Sequence, residues 1–281
     1  GVEVTQANRS ARLLRGVDEE VVARFEEAAS KQWNIVKDAS LSEIRENADG
    51  SVTVVAKHTT ENGEELLEIP ADAVLVATGR RPNTDTLNAK NYFDVQDGGQ
   101  LSVDKYQRVL YNGAPVPGVY ALGDVSSRYQ LKHVANHEAR VVQHNLSHPE
   151  DLRASDHRYV PAAVFSNPQI AVVGMTEEQA RQAAEREGFE ITVKAQNFGD
   201  TAYGWAMEDK IGLCKLIARK DNGVLLGAHL VGEESSVLIQ PLLQAMSFGM
   251  DARTLARGQY WIHPALTEVV ENALLGLEIN A

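Results

Sequence analysis

The run Ala73-Val74-Leu75-Val76-Ala77 constrains the fold most. Five small apolar residues stand in a row before Thr78-Gly79, with no polar alternation and too few positions for a helix. Such a run reads as a β-strand covered on both faces, and that needs a layered architecture with a sheet between helices. A second run, GVYALGD from Gly118 to Asp124, has the same character and ends in a carboxylate. The 281 residues leave room for about two domains at the usual ~150 residues each. Hydrophobic residues at 43% and charged residues at 23% match a globular chain, which excludes disordered and fibrous classes.

Around these runs the periodicity changes several times. A strand from Val2 to Gln6 leads into a basic turn, and a helix follows from about Asp18, with Asp18, Glu19 and Glu20 at its positive end and Val21, Phe25, Ala28 and Ala29 as its apolar stripe. SVTVVAKH from Ser51 and EELLEIP from Glu64, separated by TTENG, read as a meander. From Pro82 to Pro117 the chain is rich in turn residues, including Asn112-Gly113, and a helix is expected from Lys132 to Leu146. A linker composition places a boundary near Ser155. Beyond it, strands are expected at 159–165, 191–198, 211–219 and 224–231, the last two joined by an Asn222-Gly223 turn. Thr176 and Gln179 form a capping box for a helix from Glu177 to Glu187 that stops at Gly188. Two further helices are expected at 234–248 and 264–275.

Charge and cysteine content narrow the function. Lys plus Arg number 27 against 39 Asp plus Glu, a formal charge of −12, so nucleic acid and anionic membranes are not expected partners. The one cysteine, Cys214, allows no internal disulfide, no zinc-ligand spacing occurs, and the compartment expected is the reducing cytoplasm. No apolar run approaches the ~20 residues of a membrane span. The opening at Gly1, with Val2, Val4 and Ala7 already patterned as mid-strand, points to a shortened or processed chain.

Three constellations could carry chemistry. Arg9, Arg12 and Arg15 follow a strand where a dinucleotide-binding βαβ unit meets the adenine ribose; no acid stands there for a 2′-hydroxyl, and guanidinium groups suit a 2′-phosphate, although the spacing fits a solvated turn equally well. Asp124, at the carboxyl end of its strand, can accept hydrogen bonds from sugar or ribityl hydroxyls, or merely cap the next turn. The helix opening at Lys132 and His133 would offer its amides to the same crevice. In WIHPALTE, Pro264 is expected to open a helix and hold His263 outside helical geometry, while Glu268 can turn back to one ring nitrogen and fix its tautomer, preparing an acid/base histidine; a plain surface histidine is the alternative. Cys214 alternates with Lys215 in IGLCKLIAR and reads as an inert buried thiol, while Trp205, Met207 and Trp261 read as core or interface.

ATGRRPN (77–83), GVYALGDV (118–125), VFSNPQIAVVGMTEEQA (164–180) and HPALTE (263–268) occur in the order found in the pyridine nucleotide-disulfide oxidoreductases, which the chain resembles over nearly its whole length. The resemblance implies α/β and α+β architecture: an incomplete Rossmann-like NADPH-binding domain (1–83), a partial FAD-binding domain (84–154) and an α+β dimerisation domain (155–281). It implies FAD and NADPH as cofactors, a homodimer, and a small-molecule disulfide as substrate. Asp124 would bind the FAD ribityl or pyrophosphate region, with Lys132, His133 and Ala135 beside the flavin ring. Arg9 and Arg15, six apart, would hold the 2′-phosphate, with Gly79 bordering the nicotinamide nucleotide. His263 would be the general acid/base, acting across the dimer interface, with Glu268 orienting it. The family's G-x-G-x-x-G fingerprints and its redox CxxxxC pair do not occur in these residues. The resemblance therefore implies the carboxyl-terminal part of a flavoenzyme, catalytically incomplete without an amino-terminal half, or a non-catalytic dimerisation fragment.

Overall fold

The structure, a computed structural model, describes residues 1–61 and 63–280. They form two compact units: residues 1–74 together with 161–281, and residues 75–160. Asn62, in the expected TTENG turn, and Ala281, the last residue of the expected dimerisation domain, lie outside the described residues.

In the first unit, β1 (Thr5–Ala7) pairs in parallel with β2 (Asn34–Val36), and α1 (Glu19–Ala29) is the crossover between them. The strand pairing starts at Thr5 rather than Val2. Asp18 caps α1 by accepting the Glu20 amide at 3.1 Å. The buried face of α1 (Val21, Val22, Phe25, Ala29), with Leu13 and Val17, packs on Ile170, Leu213 and Val231. Each fully buried large side chain contributes ~1.5–3 kcal/mol, so this face fixes where the preceding basic turn sits. An antiparallel meander follows: β3 (Ala39–Glu46), β4 (Val52–Thr60) and β5 (Gly63–Ala71). β3 escapes the sequence reading because ASLSEIRE leaves almost every side chain in solvent.

The second unit corrects the reading of both apolar runs. Residues 73–77 have no strand partner among the described residues, and Leu75 and Val76 are 90% and 65% exposed. An apolar run becomes a covered strand only when neighbouring strands supply its hydrogen bonds, and none does so here. The second run belongs to β7 (Ala114–Tyr120), which pairs only with β6 (Arg108–Tyr111); its strand ends before Leu122, and Asp124 sits in a 3-10 turn over Gly123–Val125. Asn112 and Gly113, at φ 51° and 76°, close this hairpin through two left-handed residues, the geometry that matches strand twist. Ala89, Leu101, Val109 and Ala121 form its core. The helix α2 (Lys132–Ser147) forms where expected.

The remainder of the first unit is a five-stranded sheet in the order β10-β11-β12-β9-β8, built from β8 (Ala162–Val164), β9 (Gln169–Gly174), β10 (Ile191–Asn197), β11 (Leu213–Arg219) and β12 (Leu225–Gly232). The helix α3 (Glu177–Glu187) carries the full capping box, and Gly188 ends it at φ 74°. The Asn222-Gly223 turn joins β11 to β12. The helices α4 (Ala202–Ala206), α5 (Ser235–Leu238), α6 (Gln240–Phe248), α7 (Ala252–Arg257) and α8 (Thr267–Leu275) complete the unit. The single helix expected over 234–248 is two, broken where Pro241 cannot continue the ladder of α5. Trp205 and Met207 are 77% and 41% exposed rather than core, and Trp261 donates Nε1–H to the Ala256 carbonyl at 2.9 Å.

Cys214 is fully buried and burial pushes its thiol up, in keeping with an inert side chain. Lys215 does not reach solvent on the other face: its Nζ is 2.9 Å from Asp18, 2.7 Å from Glu177 and 3.3 Å from Glu20. Burial opposes charge on Asp18 and Glu177, but hydrogen bonds and charge from Lys215 outweigh it and hold both carboxyls below their usual range. On the neighbouring strand, burial lowers His229 below its ordinary 6.5, although the Met175 carbonyl and Asp18 oppose that shift. Among the described residues, Nδ1 of His229 has no hydrogen-bond partner.

As pH falls through about 6.5, the unfolded chain takes up a proton that the native imidazole refuses, and stability drops; Asp18 and Glu177 add their loss only below about 4. We expect Tm to decline between pH 7.5 and 5.5, and His229→Gln to flatten that decline in a thermal titration. An unchanged slope would remove His229 as the cause.

Candidate functional site

The approach to α8 builds the first site. His263 and Pro264 lie ahead of the helix, joined by a cis bond, and α8 starts at Thr267, so Pro264 is not its first residue as expected. Leu266 caps α8 without a side-chain acceptor, and Glu268, in the first turn, folds back instead. Its Oε1 lies 2.8 Å from His263 Nδ1, and its Oε2 accepts the Ala265 amide at 3.2 Å. The hydrogen bond from His263, then the Ala265 amide, holds the Glu268 carboxyl below its usual range against a small cost of burial. A carboxylate can only accept, so Nδ1 carries the proton and Nε2 is left to exchange one. The His263 side chain is 67% exposed and that of Glu268 17%, so the carboxylate is shielded while the imidazole is presented at the surface.

The turn after β1 forms the second site. Asn8 holds it by donating Nδ2–H to the carbonyls of Ser10 and Arg12, at 2.7 and 3.3 Å. Arg12 turns inward and donates to the Val17 carbonyl at 3.0 Å. Arg9 and Arg15 are exposed, and among the described residues neither forms an ion pair. The three arginines thus divide into one structural and two available guanidinium groups. Two unpaired guanidiniums on one turn fit a phosphate dianion.

In the second unit, Asp124 lines an open cleft of about 310 Å³ with Arg80, Arg81, Asn83, Leu87 and Gln130. Arg80 Nη1 is 3.2 Å from its carboxylate, a partner that the sequence reading did not anticipate. The Gly123 amide, beside Asp124, donates to Glu138 Oε2 at 2.6 Å, and Glu138 Oε1 meets His157 Nε2 at 3.0 Å. Glu138 is 1% exposed and so ties the Asp124 turn to α2. A sequence signal for it exists: Glu138 and Asn145 interrupt the stripe of Val134, Val141 and Val142. A Cβ on Gly123, whose φ is 70°, would come within 3.1 Å of the Ala135 Cβ, so this turn and the start of α2 fit closely. Leu131 at the cap offers no side-chain acceptor to the opening turn of α2, which holds Lys132 and His133 and carries the partial positive charge of a helix start. Gly79, at φ 127°, adopts a backbone conformation that favours glycine. The second unit thus offers a carboxylate beside a helix start, and the first unit, on its own turn, two exposed guanidinium groups.

Comparison with known proteins gives the family. The family described as pyridine nucleotide-disulphide oxidoreductase matches residues 1–139, and its dimerisation domain matches residues 160–274. The chain is 51% identical over 282 residues to mycothione reductase of Mycobacterium tuberculosis, covering 99% of this chain and 58% of that protein. It is 32% identical to dihydrolipoyl dehydrogenase of Synechocystis, covering 97% of this chain and 57% of that protein. The HOCl-induced flavoprotein disulfide reductase RclA from Escherichia coli has a similar structure, with a TM-score of 0.84 at 26% identity over 98% of this chain and 60% of RclA. The chain therefore spans somewhat more than half the length of these relatives.

Proposed function

Because the chain belongs to the pyridine nucleotide-disulphide oxidoreductase family, we propose that it is the carboxyl-terminal part of a cytoplasmic, homodimeric, NADPH-dependent flavoprotein that reduces mycothione to its thiol. The observation that carries this reading is the surface-presented His263–Glu268 pair, within the matched dimerisation domain. The identity to mycothione reductase supports the choice of substrate.

When bound, the nicotinamide nucleotide would supply hydride-donor chemistry and FAD two-electron redox chemistry. The residues of this chain bind, orient and transfer protons. Arg9 and Arg15 would hold the 2′-phosphate through charge-assisted hydrogen bonds, and Gly79 would let backbone approach the nicotinamide nucleotide. Asp124 would accept from ribityl hydroxyls, and the start of α2 at Lys132, His133 and Ala135 would hold the flavin, its positive end favouring negative charge there. Glu138 keeps the Asp124 turn against α2.

His263 manages the proton. Reducing a disulfide takes two electrons and two protons: a thiolate of the redox cysteine pair would attack one substrate sulfur, forming a mixed disulfide as the S–S bond breaks, and the other sulfur would leave as thiolate. Protonated Nε2 gives that sulfur its proton, and Glu268, accepting from Nδ1–H, steadies the imidazolium before the transfer and the tautomer after it. An exposed imidazole suits a substrate shared with a second subunit, and residues 155–281 would form that dimer contact. The redox cysteine pair would belong to the part of the enzyme outside these residues.

The test is turnover of the full-length enzyme with mycothione, followed by thiol release. NADPH should support it far better than NADH. Dihydrolipoamide oxidation with NAD as the favoured acceptor would instead establish the second reading, which the 32% identity to dihydrolipoyl dehydrogenase keeps in view.

A further inference from the structure

Asp18 stands three positions after Arg15 and caps α1, so whatever holds Asp18 also sets where the arginine turn ends. Three groups hold it. Its Oδ1 accepts from Lys215 Nζ at 2.9 Å and from the Glu20 amide at 3.1 Å, and its Oδ2 accepts the Glu177 amide at 3.1 Å. Lys215 is 5% exposed and Asp18 2%, so the ammonium is buried beside Asp18, Glu20 and Glu177. Lys215 lies on β11 of the five-stranded sheet, whereas Asp18 belongs to the βαβ segment. The turn between Arg9 and Arg15 is tied by Asn8, by Arg12, by the buried Leu13 side chain and by the Leu13 amide, which donates to Glu26 at 3.1 Å, and Leu14 within it sits at φ 48°, a left-handed backbone that a leucine holds only when its surroundings impose it.

We infer that Lys215 is a positioning residue for the Arg9–Arg15 turn, anchoring it through Asp18 so that the two guanidinium groups select nucleotides carrying a 2′-phosphate. The inference rests on the phosphate reading of Arg9 and Arg15 given above. Without the ammonium, Asp18, Glu20 and Glu177 repel one another at the cap of α1. The cap then shifts, and with it the spacing of the arginines, while contacts that recognise the rest of the nucleotide are untouched.

Two measurements on the full-length holoenzyme test this. Calorimetric titration with adenosine 2′,5′-bisphosphate and with 5′-AMP reads the 2′-phosphate preference, and amide exchange at Leu13 and Val17 reads order in the turn. Lys215→Met should lower the preference roughly fivefold or more with 5′-AMP binding unchanged, raise the KM for NADPH with kcat held, and speed exchange in the turn, while Lys215→Arg restores all three. If Lys215→Met does not fold, Asp18→Asn serves, since asparagine keeps the cap but loses the charge, and it should move every readout the same way. A wild-type preference that survives both substitutions, with protection in the turn intact, overturns the anchor alone. A wild type with no preference for the 2′-phosphate overturns the phosphate reading and this inference with it, even if exchange in the turn responds to Lys215.

Discussion

His263→Gln in the full-length enzyme is expected to lower disulfide turnover by roughly 10²- to 10⁴-fold, the usual contribution of a positioned proton donor. Glutamine keeps the bulk and can still donate to Glu268, but it has no proton to give a departing thiolate. The loss should fall on kcat with mycothione, whereas bleaching of the flavin by NADPH under anaerobic conditions stays at the wild-type rate. Glu268→Gln should produce a smaller drop of the same kind, because an amide in place of the carboxylate no longer selects the Nδ1–H tautomer set by the 2.8 Å contact. Stopped-flow traces of the two half-reactions check both variants. Equal slowing of the two halves would mean that the flavin site is disturbed rather than a proton withheld.

The second large effect is on cofactor choice. A hydrogen bond to a charged group is worth ~1.5–3 kcal/mol, so removing two charged donors from the 2′-phosphate, as in Arg9→Ala with Arg15→Ala, should raise the KM for NADPH by roughly 10²- to 10⁴-fold. NADH, which lacks that phosphate, should be handled as before. The enzyme would thus lose its cofactor preference without gaining activity. Arg12 serves as the internal control: it is bound to the Val17 carbonyl, so Arg12→Ala should act on stability and on both nucleotides alike. Steady-state kinetics with the two nucleotides separates these outcomes, and a uniform rise in KM for NADPH and NADH would refute the phosphate site.

Much of this was legible in the sequence wherever the signal was local. The capping box of Thr176 and Gln179, the stop at Gly188, the Asn222-Gly223 turn and the stripe of α1 each depend on residues within one or two turns of one another, and all form as read. The pairing of His263 with Glu268 was legible for the same reason, being five residues long. What escaped depends on distant partners. Residues 73–77 read as a covered strand, yet covering requires neighbours that no local pattern supplies, and here they stand exposed. Lys215 read only as the residue opposite Cys214, because its partner Asp18 is 197 positions away. The clamp of Glu138 on the Gly123 amide and the pairing of Arg80 with Asp124 likewise depend on the tertiary fold, although a glutamate on a valine stripe was a visible warning.

Whether His263 serves the other subunit can be measured directly by mixing subunits. One subunit carries His263→Gln with its redox cysteines intact, and the other retains His263 but has those cysteines replaced. Each homodimer should be inactive in mycothione reduction. If the imidazole of one subunit completes the site of its partner, the purified hybrid dimer recovers about half the wild-type rate, since one of its two sites then holds both parts. A hybrid as inactive as its parents would show that the histidine does not act across the interface, and the proposed mechanism would be wrong.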